Sequence, residues 1–165
     1  MIVRELGRAW EFFQTNGFKK TLLSREAPFL IQFGKYGVCG VISVVVLLLV
    51  TWGARQLYPE AFALTLDPAK RSFNNSVIQF IAFVPSNFTA YALNRWLVFT
   101  PGRHSTKVEL TLFTIISLIS FSLGLVLPVW LVNTYNVPNG AADLSFVISS
   151  AMVNFACRKF LVFEK

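Results

Sequence analysis

Three basic residues lie where two apolar segments end, in a pattern suited to holding an anion. Arg95 falls in segment 94–99 (NRWLVF), and Arg158 and Lys159 open segment 158–163 (RKFLVF). Each is followed by apolar and aromatic residues, so each is expected just inside the edge of a hydrocarbon layer. A basic side chain there reaches back to lipid phosphates, and an arginine can hold a phosphate through two parallel hydrogen bonds. The alternative is that these charges only anchor the chain against bulk headgroups.

Polar residues within the uncharged segments form a second candidate set: Asn87, Tyr91, Asn94 and Asn154. Asn87 and Asn94 are seven residues apart and therefore share one helix face, with Tyr91 between them. A buried amide without a partner in hydrocarbon costs roughly 4–8 kcal/mol on the cyclohexane scale. The asparagines are therefore expected either to line a polar cavity or to hydrogen-bond neighbouring helices.

Four further basic residues are weaker candidates. Lys35 lies near the start of the first apolar segment and faces the same choice between binding phosphate and anchoring. Arg55, Lys70 and Arg71 lie in a connection at the opposite end of the segments. They are expected either to receive a phosphate after it crosses or to be ordinary solvated charges.

The sequence lacks the patterns of several other functional classes. It contains no paired carboxylates and no cluster of metal ligands, so we expect no enzyme, no catalytic residue, no metal and no cofactor. No motif for reading nucleic acid occurs. Cys39 and Cys157 lack CxxC spacing and are interpreted as small apolar residues. No Asp or Glu lies centrally in an apolar segment, which disfavours a proton-driven exporter.

The elements that carry these residues are predicted to be transmembrane helices. The chain is 55% hydrophobic and 14% charged, against about 25% charged in an average soluble domain. Its length suits about four spans of roughly 20 residues each. We therefore predict an all-α, polytopic membrane protein with four transmembrane helices. The spans are expected at 32–52, 74–99, 110–132 and 144–163.

The N-terminal residues 1–27 are predicted to form a separate cytoplasmic segment. Apolar residues recur there at roughly helical spacing, with basic and acidic residues between them. This pattern is typical of an amphipathic helix lying on a membrane surface. Pro28 is expected to end it, which leaves 28–165 as the transmembrane domain.

The distribution of basic residues predicts the orientation. Twelve of the 15 Lys and Arg residues fall in the N-terminal tail up to Lys35, in the middle connection and its flank, and at the C-terminal end, and only Arg55, Lys70 and Arg71 fall opposite. Basic residues concentrate on the cytoplasmic side. Both termini are therefore expected in the cytoplasm, with the protein in the inner (cytoplasmic) membrane.

An internal repeat relates the two halves. Segment 94–99 aligns without a gap to 158–163, position by position: polar, basic, aromatic, Leu, Val, Phe. An Asn-Phe dipeptide also recurs upstream, displaced by three residues. We therefore predict two helical hairpins, repeat one at 29–99 and repeat two at 108–163, as parallel repeats about an axis along the membrane normal.

With these motifs the chain resembles the GtrA-like family of small four-span proteins. The features that carry the resemblance are FGKYGVCG at 33–40, NRWLVF at 94–99 and NFACRKFLVF at 154–163. The resemblance implies flippase-type transport of a polyprenyl-phosphate-linked sugar, such as an undecaprenyl phosphate derivative, for a cell-surface polysaccharide. It equally implies, as an alternative, a membrane anchor or subunit for a glycosyltransferase that uses such a lipid.

These observations define the expected partners. The main hypothesis is a carrier whose inner basic residues capture the lipid phosphate, and a small-molecule exporter ranks third. Gly34, Gly37 and Gly40 form one helical strip that permits close approach of another helix. A homodimer formed through this strip is a further hypothesis.

Overall fold

The computed structural model describes residues 2–102, 104–135 and 150–163, and every regular element there is helical. The helices are α1 (Ile2–Leu23), α2 (Phe29–Leu57), α3 (Pro68–Leu93), α4 (Thr106–Tyr135) and α5 (150–157). A short 3₁₀ helix, Pro59–Phe62, lies between α2 and α3. Turns of π-helix follow α3 at Asn94–Val98 and α5 at Arg158–Phe163. The predicted all-α class is confirmed.

The chain forms two compact units. The first contains Met1–Gly37 and Arg95–Lys165, and the second contains Val38–Asn94. The first unit therefore holds α1, the beginning of α2, the whole of α4 and α5, and the residues that follow α3 from Arg95 onward. The second unit holds most of α2 and α3 and their connection.

Helix α1 begins the first unit and carries a kink. Gly17 has φ 67°, a left-handed conformation that glycine adopts without a steric penalty. Large apolar side chains on α1, including Trp10 at 63% and Phe18 at 71%, are exposed. The chain leaves the helix after Leu23 and starts α2 at Phe29, directly after Pro28.

Small residues hold α2 and α3 together in the second unit. Ala82, Ser86 and Ala90 recur every four residues along α3 and are all buried, as are Cys39 and Ser43 on α2. The Ser86 hydroxyl donates to the Ser43 carbonyl over 2.7 Å. Small side chains let helix backbones approach closely, which is how helices associate in lipid.

The glycine strip of α2 takes no part in this contact. A Cβ atom added at Gly34, Gly37 or Gly40 would meet nothing within 4 Å. The strip is open in the part of the chain that the structure describes. The homodimer it suggested stays a prediction.

Burial along α2 is inverted relative to a soluble helix. Polar residues such as Gln32, Lys35 and Thr51 are buried, whereas Leu48 and Trp52 are about 60% exposed. Soluble proteins do the reverse, and a large exposed apolar surface marks contact with another apolar phase. Helix α2 and the segment Pro68–Val98 are long and apolar enough to cross a bilayer, by length and composition. The inverted pattern fits helices surrounded by hydrocarbon.

Phe155 lies at the centre of an aromatic cluster in the first unit. Its ring centroid lies 5.3–5.5 Å from those of four other rings: Phe29, Phe33, Tyr36 and Phe99. Phe99 in turn stacks on Phe163 at 5.1 Å and 16°. The cluster thus joins the start of α2 to the ends that follow α3 and α5.

Three helix starts differ from the sequence-based boundaries. Helix α3 begins at Pro68 rather than 74, because the Asp67 carboxylate accepts from the backbone N–H groups of Ala69 and Lys70. Helix α4 begins at Thr106 rather than 110, which moves Glu109 from the connection into the helix. Helix α2 starts at Phe29 rather than 32. Each of these helices begins before its uncharged run. Residue composition reveals the uncharged run but not the residues that precede it in the same helix.

Two sequence-based assignments fall partly outside the described residues. The predicted loop 133–143 and the start of the fourth span at 144–149 include 136–149, which lie outside the described ranges. The described part of the fourth span is helical over 150–157 and continues as π-helix to Phe163.

The two Asn-Phe dipeptides provide a matched test of this packing. Phe155 is 1% exposed and Phe88 is 58% exposed. We expect Phe155→Ala to lower the free energy of unfolding by about 3–5 kcal/mol, as for other buried Phe truncations. Phe88→Ala should cost less than about 1 kcal/mol. Equal losses in denaturant titrations of detergent-solubilised protein would contradict the aromatic cluster as the core of this unit.

Candidate functional site

The two repeated motifs adopt the same unusual backbone. Both Asn94–Val98 and Arg158–Phe163 are π-helical, a conformation that is rare and frequent at functional sites. In the first motif, the Trp96 carbonyl accepts from Arg25 Nε at 2.9 Å, and the Leu97 carbonyl accepts from Lys35 Nζ at 2.6 Å. The π turn therefore presents carbonyls to basic side chains.

Burial matches between the two motifs at every position except the fourth, where Leu97 is half-buried and Leu161 is exposed. Asn94 and Arg158 are buried at the first position, whereas Trp96 and Phe160 are exposed at the third. The last two residues of each motif are completely buried: Val98, Phe99, Val162 and Phe163. The gapless register also pairs Tyr91 with Phe155, both buried. The recurring Asn-Phe dipeptide is not equivalent in this respect, since Phe88 is exposed.

Lys35 is bound by backbone carbonyls from separate segments. Its ammonium group lies 2.5 Å from the Ser24 carbonyl, 2.6 Å from that of Leu97 and 3.4 Å from that of Leu22. An ammonium group has three donors, so these contacts match its hydrogen-bonding capacity. Lys35 therefore links the end of α1 and the start of α2 to the π turn after α3.

Arg158 lies inside the protein on an aromatic surface. Its guanidinium carbon is 3.9 Å from the Phe113 ring centroid and 5.5 Å from that of Tyr36. The group donates to the Ser117 hydroxyl at 2.8 Å and to the Tyr36 hydroxyl at 3.2 Å. Nε has no hydrogen-bond partner among the described residues. With 9% of its surface exposed, Arg158 is directed into the helices.

Arg95 and Lys159, the second residues of the two motifs, each contact the first turns of another helix. Arg95 forms an ion pair with Glu109 of α4. Lys159 donates to the Gln32 side-chain oxygen of α2 at 2.9 Å. Both basic side chains are partly exposed, whereas Glu109 and Gln32 are buried.

Glu109 is the functional candidate that sequence reasoning missed. It was assigned to a connection because it precedes the uncharged run of α4. The signal was its spacing: Glu109, Phe113 and Ser117 recur every four residues and share one helix face. That face meets Arg95 and Arg158.

Together these contacts bring Lys35, Arg95, Arg158 and Lys159 to one place, which we call the basic end. It comprises the starts of α2 and α4, residues 95–98 after α3 and the π turn after α5, all within the first unit. The four predicted phosphate-binding residues therefore lie at the same helix ends. Phosphate binding itself stays a prediction.

The polar candidates are all buried, and two have defined partners. Asn94 donates to the Ala90 carbonyl of its own helix at 2.7 Å. Asn154 accepts from the Ser120 hydroxyl of α4 at 2.6 Å and donates to Ser150 at 3.3 Å. Asn87 and Tyr91 are also buried. The Asn154 contact is an interhelical hydrogen bond, one of the two roles expected of these amides.

Three basic residues that the sequence assigned to the α2–α3 connection belong to the second unit and lie in helix ends, with Arg55 in the last turn of α2 and Lys70 and Arg71 in the first turn of α3. Arg55 donates to the Asn75 side chain at 3.1 Å and lies 5.8 Å from the Phe62 ring centroid. Lys70 is exposed and Arg71 half-buried in the first turn of α3. Arg55 therefore stabilises the connection, and Lys70 has the exposure expected of a solvated charge.

These features define a small all-helical membrane protein in which the four predicted phosphate-binding residues share the basic end. The chain matches the family described as GtrA/DPMS, transmembrane domain, over residues 35–163. The match covers more than half of the chain, and the protein belongs to this family. Searches of curated proteins and of solved structures found no match. The family indicates a role in membrane-associated handling of polyprenyl-phosphate sugars, in a non-catalytic membrane domain.

The contact between Arg158 and Phe113 can be measured by a double-mutant cycle. Arg158→Gln and Phe113→Leu should each destabilise the protein, with a coupling energy of about 1–2 kcal/mol, as for a desolvated cation over a ring. Arg8→Gln is the control, since exposed Arg8 pairs with Glu5 on α1. Its effect and that of Phe113→Leu should add within about 0.5 kcal/mol. Additivity of the Arg158 and Phe113 variants would contradict the stacking contact.

Proposed function

We propose that this protein translocates a polyprenyl-phosphate-linked sugar across the membrane, for synthesis or modification of a cell-surface polysaccharide. The observation that carries the proposal is the basic end, where four cations from three segments of the chain lie at the same helix ends, beside helices with apolar outer surfaces. A lipid-linked sugar needs a cationic site for its phosphate and an apolar surface for its chain. Family membership supports the substrate class.

The proposed topology has four spans in two parallel repeats. The basic end faces the cytoplasm together with both termini, in the inner membrane, as the distribution of Lys and Arg favours. Two observations support the repeat: both motifs form π turns with matched burial, and their final residues, Phe99 and Phe163, stack on each other. Equivalent residues that touch are expected at a two-fold axis.

The four basic residues have different proposed roles at the phosphate site. Arg95 and Lys159 are partly exposed and contact the phosphate. Lys35 and Arg158 are buried and hold the surrounding helix ends in position, which also places positive charge next to the site. In low dielectric a nearby cation attracts an anion more strongly than it does in water.

The remaining candidate residues line the path that the sugar and the phosphate follow beyond the phosphate site. Asn87, Tyr91 and Asn94 offer hydrogen-bonding groups to the sugar along α3, and Asn154 serves the second repeat. Arg55, Lys70 and Arg71 receive the phosphate on the opposite side of the membrane. The polyprenyl chain stays in the surrounding lipid throughout.

Anchoring of a glycosyltransferase is the second candidate function, favoured by a groove beside α1. The groove has a volume of about 590 Å³, and its lining contains Glu5, Glu11 and Glu26 with Arg8 and Phe12. It would place an acidic surface on the proposed cytoplasmic side of a chain with net charge +7. A basic segment of a partner enzyme fits that surface.

Translocation can be tested by reconstitution. Liposomes that contain the purified protein should transfer a fluorescent polyprenyl-phosphate sugar between leaflets, whereas protein-free liposomes should not. Replacing Arg95 and Lys159 together with Gln should slow transfer by about tenfold or more, since each lost charge-assisted hydrogen bond contributes about 1.5–3 kcal/mol.

A matched control replaces two basic residues of α1, Lys19 and Lys20, with Gln. This variant removes the same charge from exposed residues that have no proposed contact with the phosphate, and it should transfer lipid at the wild-type rate. Unchanged transfer in the Arg95/Lys159 variant would overturn the phosphate site. Absence of transfer by wild-type protein, with co-purification of a glycosyltransferase, would favour the anchor.

The proposed topology can be tested by labelling single cysteines. In a variant whose Cys39 and Cys157 are replaced by Ala, Ser105→Cys and Thr65→Cys place thiols at exposed positions in two connections. A membrane-impermeant maleimide applied to intact spheroplasts should label position 65, while position 105 should react only after lysis. Labelling of both positions, or of 105 alone, would contradict the four-span orientation.

A further inference from the structure

Arg25 lies beside the basic end, although it is not among the four predicted phosphate-binding residues. It belongs to the short connection between α1 and α2. Its Nε donates to the carbonyl of Trp96, the residue that follows Arg95, at 2.9 Å. Arg25 and Trp96 both belong to the first unit. A further basic side chain is therefore attached to the π turn after α3.

The connection that carries Arg25 is held by contacts with α2. The Ser24 carbonyl accepts from Lys35 Nζ at 2.5 Å, and the Arg25 carbonyl accepts from Gln32 Nε2 at 2.6 Å. Ala27, two residues further on, is buried. These contacts fix the backbone on both sides of Arg25, so that its side chain starts from a defined position.

Gln32 joins this connection to Lys159. Its Nε2 donates to the Arg25 carbonyl, and its Oε1 accepts from Lys159 Nζ at 2.9 Å. A single amide group therefore lies between the backbone of Arg25 and the ammonium group of Lys159. Arg25 is thus a near neighbour of a residue that is proposed to contact the phosphate.

Most of the hydrogen-bonding capacity of Arg25 is unused. A guanidinium has five N–H donors, and only Nε of Arg25 has a partner, the Trp96 carbonyl. Within the part of the chain that the structure describes, Nη1 and Nη2 make no hydrogen bond or ion pair. The side chain is partly exposed, so these two nitrogens are accessible to a ligand.

The contact at Nε orients the unused donors. Because the guanidinium is planar, a hydrogen bond at Nε directs the opposite edge, formed by Nη1 and Nη2, away from the Trp96 carbonyl. That edge presents two parallel N–H groups, a geometry that matches two oxygens of one phosphate. Arg158, by contrast, is buried against the Phe113 ring. Arg25 therefore offers an oriented and accessible arginine fork next to the basic end.

We propose that Arg25 binds the substrate phosphate through Nη1 and Nη2, so that the connection between α1 and α2 completes the phosphate site. This inference rests on the proposed function and adds a binding residue to it. The ligand is a phosphate group, either of a polyprenyl phosphate in the bilayer or free in solution. Arg25 precedes residues 35–163, over which the chain matches its family, so this contribution comes from outside the matched domain.

The first experiment measures binding of undecaprenyl phosphate to the full chain in phosphatidylcholine nanodiscs. Arg25→Gln should weaken binding by about tenfold or more, the effect of losing a charge-assisted hydrogen bond. Arg25→Lys keeps the charge but lacks the fork, so its affinity should be closer to that of Arg25→Gln than to the wild type. The matched control is Arg4→Gln, which changes an exposed arginine of α1 and should bind as the wild type does.

A second measurement uses the wild-type protein and therefore does not depend on the folding of a variant. Phenylglyoxal modifies arginine guanidinium groups, and mass spectrometry reports the extent of modification at each arginine. Saturating undecaprenyl phosphate should protect Arg25, whereas Arg4 should be modified at the same rate with and without the lipid. Thermal unfolding of each variant separates lost binding from lost folding in the first experiment.

Three results would overturn the inference and leave the proposed function intact. The first is wild-type affinity in Arg25→Gln or Arg25→Lys while the Arg95/Lys159 variant loses binding. The second is modification of Arg25 that saturating lipid does not slow. The third is an equal loss of affinity in Arg25→Gln and Arg4→Gln, which would indicate a general attraction between positive charge and the lipid. Absence of binding by the wild type would overturn the proposed function as well.

Two further ligands identify the source of the phosphate. Undecaprenol, which lacks the phosphate, should not protect Arg25, and inorganic phosphate should protect it only at far higher concentrations than the lipid. Protection by undecaprenol would overturn the phosphate contact. Protection by inorganic phosphate at the same concentration as the lipid would support a phosphate site at Arg25 but overturn the lipid as its ligand.

Discussion

A cation held among helices must be satisfied by groups that the helices themselves provide, and this requirement organises the basic end. Removing a charged group from water costs several kcal/mol unless close partners replace the lost hydration. A regular α-helix offers few partners, because its carbonyls are bonded within the helix. The π turn after α3 and the non-helical residues before α2 present carbonyls that accept hydrogen bonds from basic side chains. Lys35 binds carbonyls from both kinds of segment, so each helix end depends on the others for its position.

Aromatic rings supply the second part of this arrangement. The guanidinium of Arg158 lies on Phe113 and near Tyr36, and ring faces attract a cation without removing its charge. Phe155 and the stacked pair of Phe99 and Phe163 fill the space beneath. Rings are rigid, so they fix the helix ends at a small cost in side-chain entropy. The result is a preorganised positive region rather than a set of flexible surface lysines.

The outer surface of the chain fits an apolar surrounding. Valine, leucine and phenylalanine side chains on α2 and α3 are exposed, while serine, asparagine and glutamine are buried. Under the proposed function, a lipid with an anionic head and a long apolar chain would meet both kinds of surface at the basic end. Family membership and this surface agree on a membrane role.

The sequence by itself determined the all-helical class, the clustering of apolar segments and the similarity of the two motifs. These properties follow from residue type and periodicity, which do not depend on distant contacts. Glu109 shows where that information ends. In the sequence, Glu109 follows Lys107 and Val108, and a carboxylate so close to a lysine resembles part of a loop. In the structure Lys107 and Val108 are exposed, whereas Glu109 is buried.

Only the tertiary structure decided which basic side chain meets which partner. In the structure, Arg158 lies inward against the Phe113 ring, and Lys35 binds the Leu97 carbonyl. Arg95 pairs with a carboxylate, that of Glu109, whereas Lys159 donates to an amide oxygen, that of Gln32. Lys35 and Leu97 are 62 positions apart in the sequence, and Lys159 and Gln32 are 127 positions apart. Sequence pattern cannot fix them, because periodicity assigns a residue to a face of its helix but does not say which helix that face will meet.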